Sequence, residues 1–177
     1  MNVNAPIALV TARYSTPDDA VQDFEAVWRA REEGGFHHTA MAVLTRDVDG
    51  RLQVGRNNST AKHLEWGGAL LGGALYVLAP AAGVEVLASV GLSGAGAIVG
   101  HFRLNADPDE LDAATSLLET GTSALVVVLV NRRGDSISPL LGHADHASSV
   151  EMLWGDLEEE LAVDFSRFRT GAVLIAS

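Results

Sequence analysis

The sequence predicts a single α+β domain in which helices cover an antiparallel sheet, and three observations support this fold class. Continuous apolar runs typical of buried strands occur early and late in the chain, at Ile7–Val10 and Ser123–Val130. Two stretches with apolar residues at helical spacing follow a capping residue and a proline. The segments come in the order β-α-β-β-(two apolar arms)-α-β.

The first half of this order begins with a βα unit. A strand over Ile7–Val10 is followed by Thr16, which is placed to cap a helix, and by Pro17 at the first helical position. Gly34–Gly35 ends this helix. Its expected buried stripe consists of Val21, Phe24, Val27 and Trp28. A hairpin comes next, with strands over His37–Arg46 and Arg51–Gly55 joined by the turn Asp47–Gly50.

The second half repeats the same starting signals. Asp107 precedes Pro108, and a helix is expected to run from there to Gly121. Its buried stripe consists of Leu111, Ala114, Leu117 and Leu118. The valine-rich segment Ser123–Val130 is the strongest strand signal and is expected to be central. This order is that of a ferredoxin-like sandwich (βαββαβ), in which two helices cover one face of the sheet.

The tail is expected to add a third helix and a short strand to this domain. The helix is capped near Ser148, and the strand lies at Ala172–Ile175. Apolar residues on one face of the helix are Val150, Leu153, Trp154, Leu157 and Leu161. The interpretation is one domain over residues 1–177, with residues 61–101 as an inserted apolar hairpin.

The inserted hairpin is rich in glycine and nearly free of charge. Trp66–Gly100 holds nine of the chain's 18 glycines, and Glu85 is its single formal charge. The break Ala79–Gly83, which contains Pro80, divides it into two helical arms. A glycine inside a helix costs roughly 0.5–1 kcal/mol relative to alanine. Because their small size allows helix backbones to approach each other, this many glycines indicate close contact between helices.

We therefore expect the hairpins of several chains to pack together in a homo-oligomer. The expected interface residues are Trp66, Gly68, Ala69, Gly72, Gly73, Leu75, Gly96 and Gly100. Insertion in a membrane is the alternative, because Lys62 and Arg103 flank the hairpin on the same side. Each arm is shorter than the about 20 apolar residues that a bilayer span requires.

Composition excludes several classes of function. Twelve Lys and Arg residues against 23 Asp and Glu residues give a formal charge of −11, which opposes binding to nucleic acid. The chain has no cysteine, so disulfides, thiolate catalysis and cysteine metal sites are excluded. The N-terminus lacks the basic and apolar regions of a signal peptide, and a cytoplasmic protein, free or attached to a membrane, is expected.

The chain resembles the bacterial family catalogued as domain of unknown function 1269, whose members are often labelled predicted membrane proteins. The resemblance rests on the βαββ opening, the run Trp66–Leu75, the helix Asp107–Leu118, and Gly121–Leu125 entering a strand of valines. The family has no established activity. The resemblance therefore implies no catalytic residue and no cofactor.

Candidate ligand sites all have a simpler interpretation in the sequence. His143, Asp145 and His146 resemble a metal site, but their spacing is generic, and a solvated helix start explains them as well. His37–His38 and Arg132–Arg133 are interpreted as polar strand ends. Gly91–Gly96 lacks the strand or lysine that a phosphate-binding loop needs, and Glu158–Glu160 lacks a calcium-loop pattern.

The sequence thus favours a non-enzymatic, self-assembling protein with no metal, no cofactor and no catalytic residue. Two alternatives remain open at this stage. One is a membrane-associated protein with the hairpin in the bilayer. The other is a small-molecule-binding or enzymatic ferredoxin-like domain, which rests on analogy of fold alone.

Overall fold

The protein forms one five-stranded antiparallel sheet with helices on both faces. The computed structural model describes residues 6–34, 36–59, 64–79, 95–120, 122–130, 136–153 and 155. The predicted α+β class is confirmed. The strands are β1 (Pro6–Tyr14), β2 (His37–Arg46), β3 (Leu52–Ser59), β4 (Ser123–Val130) and β5 (His146–Leu153). The helices are α1 (Pro17–Glu32), α2 (Leu64–Leu78), α3 (Ala95–Asn105) and α4 (Pro108–Thr120).

The strands lie in the order β3-β2-β4-β1-β5, and every neighbouring pair is antiparallel. Strand β4 is central, and all eight of its residues are buried. Ser123 lies between Tyr14 of β1 and Thr45 of β2. Because β1 and β2 are both antiparallel to β4, they are parallel to each other, and α1 connects them across β4.

Helix α1 and helix α4 lie on opposite faces of the sheet. Phe24 and Val27 of α1 pack in one cluster with Val10 and Val127. The cluster on the other face contains Ala114 and Leu118 of α4, together with Leu9 and Val126. The expectation that both helices cover one face is therefore wrong. The physical reason is that β1, β2 and β4 are apolar on both faces, so both faces need a cover.

Helix α2 is part of the core and does not project from the sheet. Leu71, Ala74, Leu75 and Leu78 are buried against strand residues of the α4 face. Helix α3 packs against α2. Residues 80–94, which include the predicted break at Pro80, lie outside the described residues. Because α2 is apolar on nearly every side, it buries itself in its own domain.

The segment expected to begin the third tail helix is instead strand β5. It pairs with β1, and its burial alternates, with Val150 and Met152 buried and Glu151 and Leu153 exposed. That period of two is the pattern of a strand with one covered face. Apart from Gly155, the remainder of the predicted helix from Trp154 and the strand Ala172–Ile175 fall outside the described ranges. No helix in the described part of the chain is both long and apolar enough to cross a membrane.

Candidate active site

A buried carboxylate and a half-exposed imidazole form the main polar site on the α1 face. Asp23 of α1 has a side chain only 2% exposed, whereas that of His143 is 49% exposed. Nδ1 of His143 lies 2.7 Å from Oδ1 of Asp23. The hydroxyl of Tyr14 donates to Oδ2 of Asp23 at 3.0 Å, and the backbone N–H of His143 donates to the same oxygen at 3.1 Å. Asp23 thus accepts three hydrogen bonds.

Local structure explains why these side chains meet. Asp23 belongs to the buried stripe of α1, which consists of Ala20, Asp23, Phe24 and Val27 at helical spacing. Tyr14 is the last residue of β1, and its side chain points to the α1 face, as alternation from Val10 and Ala12 requires.

His143 is brought to Asp23 by the loop between β4 and β5. Buried Ile137 and Leu141 anchor this loop in the α1-face cluster, on either side of a short 3-10 helix over Ser138–Leu140. At the end of the loop the backbone N–H of Asp145 donates to the carbonyl of Arg13 at 2.9 Å. The loop is therefore held in place on either side of His143.

The site carries negative charge, and this shifts the pKa values of its members. The hydrogen bond to Asp23, followed by the charges of Asp23 and Asp19, raises the pKa of His143 above 6.5, although partial burial opposes the shift. Burial is the main cause that raises the pKa of Tyr14 far above 10, and the neighbouring Asp23 and Asp19 add to it. Tyr14 is therefore a hydrogen-bond donor at any ordinary pH.

The geometry fixes the tautomer of His143. An ionised carboxylate only accepts hydrogen bonds, so Nδ1 must carry a proton to bond Asp23. This leaves Nε2 as the atom that gains or loses a proton, on a ring that is half exposed. A histidine oriented through Nδ1 by a buried carboxylate is the arrangement that lets Nε2 act as a general base or acid.

The three polar residues of the segment His143–His146 do not converge on one point. Asp145 accepts a hydrogen bond from Ser15 Oγ at 2.7 Å, and His146 is exposed at the start of β5. The expectation of a solvated helix start is wrong, because His143 lies in a loop and bonds Asp23. Among the described residues no group of three His, Asp or Glu side chains is placed to hold a metal ion.

Other sequence candidates are placed as follows. His37 and His38 begin β2, but their side chains are not among the described ones. Arg132–Arg133, residues 91–94 and Glu158–Glu160 lie outside the described residues. His101 of α3 is buried, with Nε2 2.9 Å from the carbonyl of Leu153 and Nδ1 3.3 Å from Nδ2 of Asn105. Its bonds tie α3 to β5, which indicates a structural role.

The eight residues expected at an oligomer interface fall into three groups. Gly72, Gly73 and Leu75 are buried within the domain. Trp66, Gly68 and Ala69 lie in α2, and Gly96 lies in α3, in stretches whose side chains are not described. Gly100 of α3 is half-buried, and a Cβ there would meet no atom within 4 Å. Of these residues, only Gly100 is seen to have open space beside it.

Sequence reasoning missed both Asp23 and Tyr14. A signal for Asp23 was present, because it lies three residues after Ala20 and four before Val27, on the apolar stripe of α1. A carboxylate on such a stripe needs donors from elsewhere in the fold. The sequence does not reveal that Tyr14 and His143 supply them, since His143 is 120 residues away.

Comparisons with protein-family models, with curated proteins and with solved structures give no match. The family resemblance drawn from the sequence stays a prediction.

Proposed function

We propose that the protein is an enzyme or enzyme-like domain that transfers protons through His143. The observation that supports this is the nearly fully buried Asp23, which orients the half-exposed imidazole through a bond of 2.7 Å. Burying a carboxylate is costly unless it is fully hydrogen-bonded. Here its three donors include the imidazole, and this arrangement leaves Nε2 available for chemistry.

The proposed role of each residue follows from the geometry. Nε2 of neutral His143 accepts a proton from a water molecule or a substrate hydroxyl, and the resulting imidazolium returns it to a leaving group. Asp23 holds the ring and stabilises the positive charge that develops on it. Tyr14 and the backbone N–H of His143 hold the carboxylate in place. Because the pKa of His143 is raised above its ordinary value, base catalysis is favoured only above this raised pKa, and acid catalysis is favoured below it.

The charges around the site favour a neutral or cationic substrate. Asp19 lies close enough to raise the pKa values of both His143 and Tyr14. Asp145, two residues after His143, is exposed and bonded to Ser15. An anionic group approaching Nε2 would be repelled by the charges of Asp23 and Asp19, which act in addition to the formal charge of −11 on the whole chain.

The test uses an activated ester that reports on imidazole basicity. The hydrolysis rate of p-nitrophenyl acetate is measured for the parent, His143→Gln, Asp23→Asn and the control His146→Gln. We expect the hydrolysis rate above background to be about 100-fold lower in His143→Gln and in Asp23→Asn than in the parent. A positioned acid–base group typically accelerates a reaction by a factor of about 10²–10⁴. His146→Gln should match the parent. Equal rates in the parent and His143→Gln would show that the Asp23–His143 bond is structural only.

Self-assembly through the glycine-rich helices is a second candidate, and one feature of α3 favours it. Gly100 has open space beside it, and Leu104, one helical turn later, is 84% exposed. Gly96 lies one turn earlier on the same face. Small residues beside an exposed leucine suit the close approach of a second helix. We infer that any self-association uses this face of α3 and not the buried α2 positions Gly72, Gly73 and Leu75.

Light scattering separates this second candidate from a monomer. The Cβ that Gly100→Leu introduces meets no atom of the described part of the chain within 4 Å, so the domain should still fold. If α3 forms the interface, the parent is an oligomer, and Gly100→Leu lowers its mass to that of one chain. A parent that is monomeric at high concentration would end this candidate.

We propose a ferredoxin-like description only for the β1–α1–β2 part of the fold with β4 between the two strands. Supporting it are the parallel relation of β1 and β2 and the crossing helix α1. Because α4 lies on the opposite face of the sheet from α1, we do not extend the ferredoxin-like description to the whole domain.

A further inference from the structure

A cavity of about 500 Å³ lies on the other face of the sheet from Asp23 and His143. Its walls are the turn between β2 and β3, the C-terminal end of α2, and one side of α4. The volume is within the range of about 300–1,000 Å³ that small-molecule sites occupy. It is independent of the proton-transfer site and of the function proposed for it.

The inner wall of the cavity is apolar and belongs to the hydrophobic core. Leu118 of α4 is buried, and Leu52 of β3 and Val77 of α2 are half-buried beside it. Ala79, directly after α2, adds a small side chain to the same wall. This surface fits a compact apolar group, because it removes such a group from water without offering it a polar partner.

The rim of the cavity carries opposite charges on opposite walls. Arg51, in the turn between β2 and β3, is exposed on one wall. Asp112 and Glu119 of α4 are exposed on the other wall, with Thr115 between them. The spacing of three and four residues puts these side chains on one stripe of α4. Among the residues that line the rim, the turn therefore contributes the cation Arg51, whose charge also acts on Asp47 in the same turn, and α4 contributes the anions.

Arg46 holds these two walls together. Its guanidinium donates to the carbonyl of Gly50 at 2.6 Å, and to the carbonyls of Leu118 and Glu119 at 2.7 and 3.2 Å. These last carbonyls are at the C-terminal end of α4, where a cation is also favoured by the helix dipole. These bonds fix the backbone of the turn beside Arg51 relative to the C-terminal end of α4. A site whose walls are already held in place loses less free energy when it binds a ligand.

We propose that this cavity binds a small zwitterion with an apolar body, the chemistry of an apolar α-amino acid. The carboxylate of the ligand meets Arg51, its ammonium group meets Asp112 and Glu119, and its side chain lies on Leu52, Val77 and Leu118. Charge complementarity at the rim fixes the orientation of the ligand, and the apolar wall selects against polar side chains.

The first test is calorimetric titration of the full chain with L-leucine and L-phenylalanine. Isoamylamine and isocaproic acid serve as matched probes, because each retains the apolar body of leucine and only one of its two charges. We expect saturable binding of at least one amino acid and affinities about tenfold weaker for both single-charge probes, the loss expected for one charged hydrogen bond. The absence of binding at millimolar amino acid, or equal binding of the single-charge probes, overturns the proposal.

The second test uses variants of exposed rim residues, which should fold normally. Arg51→Ala and Asp112→Asn should each weaken amino-acid binding about tenfold. Arg103→Ala and Asp109→Asn are the controls, because both residues are exposed and neither lines the cavity. Ala79→Phe, which fills the apolar wall, should abolish binding while circular dichroism shows an intact fold. Binding that survives Arg51→Ala or Ala79→Phe unchanged contradicts the assignment.

Discussion

The Nδ1 atom of His143 lies 2.7 Å from Oδ1 of Asp23, although 120 residues separate the two along the chain. This bond joins the loop between β4 and β5 to the second turn of α1. It also provides the buried carboxylate of Asp23 with a hydrogen-bond donor from a residue distant in the sequence. The stability of the α1 face and the chemistry of the exposed imidazole therefore depend on the same pair of residues.

Tyr14→Phe should destabilise the protein without changing its packing. The change removes the hydroxyl that donates to Asp23 at 3.0 Å and leaves the buried ring in place. A hydrogen bond to a charged group contributes about 1.5–3 kcal/mol, so we expect the free energy of unfolding to fall by this amount in urea titrations. The control is Tyr76→Phe on a residue that is 42% exposed. Equal stability of the two variants would contradict the role given to Tyr14.

His143→Gln should change how stability depends on pH. The pKa of His143 is raised in the folded protein by its bond to Asp23, so the folded state holds the imidazole proton more tightly than the unfolded state. The resulting stabilisation is fully present below about pH 6.5 and is lost as pH rises through the folded pKa. The stability difference between parent and variant should therefore shrink as pH rises from about 6.5 through the raised pKa of folded His143. A difference that grows over this range would have the wrong sign.

Leu75→Ala tests whether α2 belongs to the core. Leu75 is 1% exposed on α2, whereas Leu104 on α3 is 84% exposed. Truncating a buried leucine costs about 2–5 kcal/mol, so Leu75→Ala should lower the free energy of unfolding by that amount. Leu104→Ala should change it by less than about 0.5 kcal/mol. If both variants were equally stable, α2 would not be packed as described.

Local signals in the sequence predict most of the elements. Thr16 and Pro17 mark the start of α1, and the side chain of Thr16 accepts the backbone N–H of Asp19. The strands His37–Arg46 and Ser123–Val130 have the predicted bounds. These elements are predictable because their signals lie within the segments themselves. The signals are capping residues, prolines and the periodicity of apolar residues.

The placement of helices and the candidate site depend on contacts distant in sequence. The segment that contains Val150 and Leu153 is compatible with a helix and with a strand. It forms strand β5 because it pairs with β1, which is distant in the sequence. The valines of β4 indicate a central strand but do not say which helix covers which face. The sequence places Asp23 on the apolar stripe of α1. Its partner His143 is identified only by the position of the loop between β4 and β5 in the structure.

The most direct measurement is an NMR titration of the His143 imidazole in the parent and in Asp23→Asn. For the parent we expect a His143 pKa above 6.5, with the Nδ1 proton retained in the neutral form. In Asp23→Asn the carboxylate charge is gone, and the pKa of His143 should fall toward its ordinary value. The resonances of His146 serve as the internal reference in both proteins. A pKa of His143 that is the same in parent and variant, or a neutral form protonated at Nε2, would contradict the claim that Asp23 orients this imidazole.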